Sequence, residues 1–300
     1  MAKKKKNSAR WGIIISVLLF LFIIAYVFSA MISLIISQEG VRQGNVALIP
    51  VRGLILTGNS RDFLGSSITP SGKIVDFIGD AAEDPKIKAI LLEIDSPGGA
   101  PVATDEIAVA IERANKTTVA WIRETGASGA YWIASAAEHI VANRMSITGS
   151  IGVYGSYLDF SGFIRDWNVT YQRLVGGRYK DTGIPFRQLS EDEERMLQKK
   201  ISLLHQIFKD EVQENRALTD SEIENVGTGE FFIGKEALQL NLVDELGGKK
   251  EALDYIEQKL NITAQLSRYE IKRTFLDVLA GLNSRQSLDI KARDTIGLLR

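Results

Sequence analysis

Ser128 stands in Gly126-Ala127-Ser128-Gly129-Ala130, and Lys180 follows 52 residues later in Gly176-Gly177-Arg178-Tyr179-Lys180-Asp181. A serine set among residues with almost no side chain is open to attack a substrate carbonyl. The usual activating partners are scarce: the 300-residue chain has no cysteine and two histidines, His139 and His205. If Ser128 is a nucleophile, a desolvated lysine is the base the composition favours. A free lysine has a pKa near 10.4 and holds its proton at neutral pH. Burial disfavours the ammonium. Bringing the value to about 7–8 corresponds to roughly 3–5 kcal/mol against the charged form. Gly176 and Gly177 would let backbone approach closely, and Arg178 nearby would favour a neutral lysine. Asp181, if close, would hold its charge. Taken alone, Ser128 also fits an ordinary glycine-flanked turn and Lys180 a solvated loop lysine.

The elements around Ser128 narrow the choice. Lys88 to Asp95 is a short, branched, apolar run that reads as a buried strand. It leads into Ser96-Pro97-Gly98-Gly99-Ala100 and then into Thr104 to Arg113, which has helical spacing and an acidic first turn. A strand that ends in Pro-Gly-Gly and opens a helix presents free backbone N–H groups, which suits an oxyanion hole, a phosphate cradle or a plain tight turn. Thr117 to Ile122 is a second strand that runs on to Glu124–Ser128, and Ala130 to Ala137 reads as a buried helix. Ser128 therefore occupies a strand-to-helix turn of the kind a nucleophile elbow uses, although Ala130 stands where G-x-S-x-G has its last glycine. His139 begins a strand, and His205 lies beside the apolar stripe Leu197, Ile201, Leu204, Phe208 and Val212 of a long helix; both read as structural or solvated. No HExxH spacing, Walker loop or dinucleotide fingerprint is present, so no metal and no cofactor is expected.

In order along the chain, Ser96-Pro97-Gly98-Gly99, Gly126 to Ala137, Thr148-Gly149-Ser150-Ile151-Gly152-Val153, Tyr179-Lys180-Asp181 and Leu240 to Gly248 resemble the short, single-copy form of the signal peptide peptidase A family, membrane-bound Ser/Lys proteases. The likeness runs from about residue 46 to 258. It implies a crotonase/Clp-protease-like α/β fold of repeated ββα units. It implies Ser128 as nucleophile, Lys180 as general base, Ser150 orienting the lysine, Gly99 and Gly129 as oxyanion donors and Gly98 shaping the turn. It implies ring-like assembly, with the dyad either within one protomer or completed by a lysine that reaches the serine of a neighbouring protomer. Asn241 stands where the family commonly has glycine, and asparagine tolerates the left-handed conformation of a helix end.

The N-terminus carries the second strong signal. Ile13 to Ile36 is apolar over 24 residues, interrupted by Ser16, Tyr26, Ser29 and Ser33. A helix of that length spans about 36 Å, enough for a hydrocarbon core of roughly 30 Å. It exceeds a signal-peptide core, and no small-x-small cleavage site follows cleanly, so an uncleaved anchor is expected. Lys3, Lys4, Lys5, Lys6 and Arg10 precede it, which orients the N-terminus to the cytoplasm and the rest of the chain outside. Beyond the anchor some 260 residues remain, ample for one core. Net charge is −1 and nothing in it asks for nucleic acid. The absence of cysteine excludes a disulfide framework.

The expected organisation is a basic tail (1–12), an anchor (13–37), a linker (38–45), a protease domain (46–263) and an extension (264–300). Val46 to Val51 reads as the first strand, Asn59 to Gly72 as a loop, Ile74 to Glu83 as a helix. Ser190 with Glu193 reads as a capping box opening a helix that ends near Arg216. The chain is expected to be a membrane-anchored serine endopeptidase and a homo-oligomer. Its substrates are extended apolar peptides, such as signal-peptide remnants in the lipid bilayer. Two readings from other classes stay open: a crotonase-fold enzyme acting on an acyl thioester, which needs neither anchor nor lysine, and a non-catalytic membrane scaffold, indifferent to Ser128→Ala.

Overall fold

A computed structural model describes residues 4–37, 44–58 and 68–270. Two units emerge, Met1–Gln43 and Gly44–Arg300. The first is a helix, α1 (Lys4–Ser37). Within it Trp11–Ala30 has a mean hydropathy of 2.9 and no buried part, which makes it the one helix among the described residues long and apolar enough to cross a membrane.

The second unit is α/β. Its elements in order are β1 (Val46–Arg52), β2 (Leu54–Leu56), β3 (Ile68–Pro70), α2 (Ser71–Glu83), β4 (Ala89–Ser96), α3 (Pro101–Glu112), β5 (Thr117–Ala127), α4 (Gly129–Ser135), β6 (His139–Ala142), β7 (Ile147–Gly149), α5 (Ser161–Asp166), α6 (Glu191–Arg216), α7 (Asp220–Val226), β8 (Phe231–Ile233), α8 (Gly234–Gln239), β9 (Glu245–Leu246), α9 (Lys249–Leu260) and β10 (Leu266–Arg268). The main sheet has the order β10-β1-β4-β5-β6-β9, with every neighbouring pair parallel. β5 is long enough to serve two partners. Its first half pairs with β6 and its last three residues pair with β7. β8 adds the antiparallel pairing, on β7.

A parallel sheet needs cover on both faces, and the strands supply it by strict alternation. Ala47, Ile49 and Val51 of β1, Ile90, Leu92 and Ile94 of β4, and Ala120 and Ile122 of β5 point into the larger core, with side chains of α2, α3, α4 and α6. Val46 and Leu48, Ala89 and Leu91, and Val119 point to the other face, where Ala252 and Ile256 of α9 close a smaller core. Lys116 ties the frame at one end. Its ammonium donates to the carbonyls of Ala81, Asp84 and Ile87 at 2.6–2.8 Å, around the C-terminus of α2.

Several expectations need adjustment. The stretch expected as a loop over 59–72 ends earlier: 59–67 lie outside the described residues, Ile68–Pro70 pair with β2, and the helix starts at Ser71. The domain boundary expected at 263 falls just before β10, which pairs with β1 and so belongs to the sheet. The apolar stripe on α6 is buried at Phe208 and Val212, whereas Leu204 is exposed. The reason is the neighbouring segment: none of residues 152–192 is buried. Ser190 and Glu193 form the capping box as read. Residues 271–300 of the expected extension lie outside the described residues.

Candidate active site

Ser128 sits between the C-terminal end of β5 and the first residue of α4. Its backbone has φ 52° and ψ −129°, a conformation unusual for a residue with a Cβ. Such a conformation costs of order 1–3 kcal/mol and persists where the surroundings enforce it. Here they do. The Ser128 N–H donates to Gly149 O at 2.8 Å, and its carbonyl accepts the N–H groups of Tyr131 and Trp132. Thr148, fully buried, donates its hydroxyl to Gly126 O at 2.8 Å. β7 thus holds the turn from one side. α4 holds it from the other, since all seven of its residues are buried.

The Ser96–Ala100 turn meets Ser128 across the neighbouring strand ends, where Ser96 pairs with Gly126. Gly98 has φ 103°, and a Cβ there would lie 2.8 Å from Gly129 N, 2.9 Å from Ala127 O and 3.0 Å from the Ser128 Cβ. Only glycine fits this approach. A Cβ on Gly129 would run into Thr104 Oγ1, with Gly99 N 3.4 Å away. The N–H groups of Gly99 and Gly129 make no hydrogen bond among the described residues. Two unengaged amides therefore flank Ser128 at the N-termini of α3 and α4. A developing oxyanion needs that arrangement of donors.

Ser150 lies one residue past Gly149, with φ 52°, half-buried, its N–H donating to Glu230 O at 2.8 Å. One strand end therefore carries both the acceptor for the Ser128 amide and Ser150. The backbone of Ser150 is fixed from β8's side, because Gly149 pairs with Phe231.

Lys180 is placed differently. It lies in a turn of the unburied 152–192 segment, its N–H bonded to Gly177 O at 3.2 Å. Its side chain is exposed, and its ammonium joins no hydrogen bond or ion pair among the described residues. Asp181 does not hold it. That carboxylate takes a two-pronged bond from Arg173, at 2.7 and 2.8 Å, and a third from Arg187 at 3.0 Å. Arg187 passes on to Glu193 at 2.5 and 2.8 Å. The Arg173 hydrogen bonds, then those of Arg187, keep the Asp181 carboxyl well below the usual range. Arg187 does the same for Glu193, helped by the Ser190 N–H. Arg178 is turned to Asp192 and lies over the Tyr179 ring. The chain by itself thus leaves Lys180 in water, without the desolvation expected for a base.

Neither histidine bonds to Ser128. His139 stacks on Tyr255, centroids 3.8 Å apart, with Nε2 3.4 Å from Glu245. His205 Nε2 lies 3.1 Å from Ile151 O and props the turn that follows Ser150. Asn241 takes φ 59°, the left-handed conformation for which glycine is commonly used. Among the described residues no group of three or more acidic, cysteine or histidine side chains could hold a metal.

The model of peptidase family S49 matches residues 110–263, just over half of the chain, and spans Ser128, Ser150 and Lys180. The chain belongs to peptidase family S49. Over 206 residues it is 32% identical to a Methanocaldococcus jannaschii protein that carries a protease name, covering 66% of each chain. It is 30% identical over 230 residues to the chloroplastic serine protease SPPA of Arabidopsis thaliana, with 73% of this chain and 34% of that one covered. With Protease 4 of Haemophilus influenzae it shares 29% over 219 residues, covering 72% and 35%. The chain therefore spans about two-thirds of the first relative and about a third of the other two. The relatives it is similar to include a serine protease named SPPA and a Protease 4. Ser96, Thr104 and Ile55, which shape the site from behind, were not singled out by the sequence. The signal for Ser96 was its place at the head of the Pro-Gly-Gly turn.

Proposed function

We propose that the protein is a membrane-anchored endopeptidase in which Ser128 is the nucleophile and Lys180 the general base. The observation that carries this reading is the pair of unengaged amides, Gly99 and Gly129, beside a serine in a strained strand-to-helix turn. Ser128 Oγ attacks the scissile carbonyl carbon while Lys180 Nζ takes the hydroxyl proton. The carbonyl oxygen becomes an oxyanion held by the Gly99 and Gly129 N–H groups. Collapse breaks the C–N bond, and Lys180 returns the proton to the leaving amine. Water then hydrolyses the acyl-enzyme by the same relay. Ser150 hydrogen-bonds the lysine and sets its position.

The base has to be dry to act, and a second copy of this chain is what dries it. The 152–192 arm exposes Tyr154, Leu158, Phe163, Trp167, Leu174 and Tyr179 along with Lys180. So much unburied apolar surface on one segment marks an interaction face. On this reading the arm packs against a neighbouring protomer of a homo-oligomer and delivers Lys180 to that protomer's Ser128. The fold we read as a series of long strand, short strand and helix: β1 with β2 and α2, β4 with the Gly98–Ala100 turn and α3, β5 with its terminal half and α4.

The substrate class is an extended, apolar peptide such as a remnant signal peptide in the bilayer. A peptide strand can add to a backbone edge beside the oxyanion donors. Lys3, Lys4, Lys5, Lys6 and Arg10, ahead of the apolar stretch of α1, put the N-terminus in the cytoplasm and the catalytic unit outside it. A fluorophosphonate probe tests the nucleophile directly. Full-length protein should be labelled at Ser128, and Ser128→Ala should not. Labelling that persists in Ser128→Ala overturns the assignment.

A further inference from the structure

The Gly99 amide can serve as an oxyanion donor only if its direction is fixed, and glycine has no preference that would fix it. Gly98, at φ 103°, and Gly99 are free to turn through conformations closed to other residues. The structure supplies the restraint from β2. Ile55 N donates to Gly98 O at 3.0 Å, and Ile55 O accepts from Ala100 N at 2.9 Å. A trans peptide is planar, with C=O and N–H pointing opposite ways. Once Gly98 O is held against β2, the Gly99 N–H must point away from β2. Gly129 and Ser128 lie close on the Gly98 side of that turn.

What holds Gly98 itself is Ser96. Its side chain is fully buried. Its hydroxyl donates to Gly53 O at 2.6 Å and accepts the Gly98 N–H at 3.0 Å. Gly53, at φ 72°, is the hinge between β1 and β2, and its N–H is bonded to Asp95 O at 3.0 Å. One hydroxyl thus clamps the turn to the start of β2, while Ile55 clamps it further along. Deleting the hydroxyl leaves the buried Gly98 N–H and the part-buried Gly53 carbonyl without this partner, and the turn is the part with freedom to move.

We infer that Ser96 is a positioning residue that aims the Gly99 amide at the oxyanion, acting through the Gly98 N–H and the Gly53 hinge and never touching substrate. The inference rests on Ser128 being the nucleophile. It makes a demand that a merely structural hydroxyl would not: loss of Ser96 weakens the tetrahedral state more than the ground state. A displacement of about 1 Å at such a site costs on the order of 10²-fold in rate.

The test uses the full-length enzyme in detergent, with Ser96→Ala and the near-isosteric Ser96→Cys. Three quantities are read: kcat and KM for an apolar fluorogenic peptide, the inhibition constant of an aldehyde of the same peptide sequence, and the melting temperature. A peptide aldehyde adds to the serine hydroxyl and places its oxygen in the oxyanion position. For Ser96→Ala, kcat should fall by about 10- to 100-fold with KM held within about threefold. The aldehyde constant should rise in step with the loss in kcat/KM, and Ser96→Cys should fall between. A folded variant with wild-type kcat, a loss carried by KM alone, or unchanged aldehyde affinity overturns the inference. If Ser96→Ala does not fold, Ser96→Cys decides by the same criteria. A wild-type enzyme that the aldehyde does not inhibit overturns the Ser128 reading, and this inference with it; inhibition of wild type with no change in the variants overturns the Ser96 role alone.

Discussion

Gly129→Ala is the sharpest perturbation the site offers, because one methyl group tests both the donor and its backing. An ideal Cβ on Gly129 would sit well inside 3.0 Å of Thr104 Oγ1 and 3.4 Å from Gly99 N. Thr104 cannot swing aside. It is fully buried, branched at Cβ, and its hydroxyl bonds to Ala100 O at 3.2 Å in the first turn of α3. The start of α4 must therefore move off α3 by about 1 Å to restore van der Waals contact. Oxyanion donors work at roughly 2.7–3.1 Å, and removing one such donor costs about 10²–10³ in kcat. The expected loss is of that size, or about 2.7–4 kcal/mol in the barrier. Overpacking should lower stability by about 1–3 kcal/mol. Thr104→Ala in the Gly129→Ala background removes the obstructing atoms and should return part of the lost kcat, a coupling readable in a double-mutant cycle. The control is Gly79→Ala, where a Cβ meets nothing within 4 Å on α2; it should keep kcat and gain up to about 1 kcal/mol. The assay is steady-state cleavage of an apolar fluorogenic peptide, with thermal melts alongside. Wild-type turnover in folded Gly129→Ala, or no recovery in the double variant, would refute the reasoning.

Lys180→Arg should be as inactive as Lys180→Ala, about 10²–10⁴-fold below wild type, because a guanidinium cannot accept the proton; near wild-type turnover in Lys180→Arg rules out the lysine base, and a loss of similar size in folded His205→Gln would move that role to histidine. Ser128→Ala and Lys180→Ala proteins, each inactive, should regain activity when mixed and reassembled, because a mixed pair still holds one intact Ser128 facing one intact Lys180; silence of the mixture, with both variants shown to co-assemble, removes the shared dyad. The arm should loosen in acid. Asp181 and Glu193 have folded pKa values pushed down by Arg173 and Arg187, so their contribution is present above the ordinary carboxylate value near 4 and is lost as pH falls below it. Hydrogen exchange of residues 171–193, corrected for intrinsic rates, should show protection fading below about pH 4, and a flat profile there contradicts the network's role.

The sequence carries the strand-to-helix turn at Ser128 and the Pro-Gly-Gly turn clearly, because both depend on local signals: an apolar run that stops, glycines that permit close approach, a helix that starts. β4, β5 and α4 lie within a few residues of where the pattern puts them. β3 and β10 were not readable. Each is three residues long and is defined by its partner, β2 or β1, across the fold. α6 shows why periodicity has limits. Its apolar stripe is regular from Leu197 to Val212, yet burial is settled by what lies opposite, and a stripe cannot report that Leu204 is left exposed. The same holds for Lys180. Its neighbours Arg178 and Asp181 looked able to tune it, but tertiary contacts commit both elsewhere, to Asp192 and to the two arginines. Ser96 was visible as a residue and invisible as a clamp, since its partner Gly53 is 43 positions away.

The site divides into two parts with opposite mechanical character. Ser128 and the Gly99 and Gly129 amides, the proposed nucleophile and oxyanion donors, stand at adjacent parallel strand ends, with hydroxyls of Ser96, Thr104 and Thr148, all fully buried, holding the carbonyls of Gly53, Ala100 and Gly126. That half is complete within one chain. Lys180, the proposed base, sits on a segment with no buried residue, braced by ion pairs whose carboxylates, Asp181 and Glu193, are largely covered and which acid weakens. A rigid half that lacks a base, and a base on an arm that lacks cover, fit together if assembly is the step that makes the enzyme. On that reading a lone protomer holds its strained serine idle, because Ser128 has no proton acceptor until a neighbour's arm is dried against it. Activity should then rise more steeply than in proportion to protein concentration across the range where the oligomer forms. It should become proportional once assembly is complete, whereas a proportional response throughout, with the protein demonstrably passing from monomer to oligomer, would place the working base within a single chain.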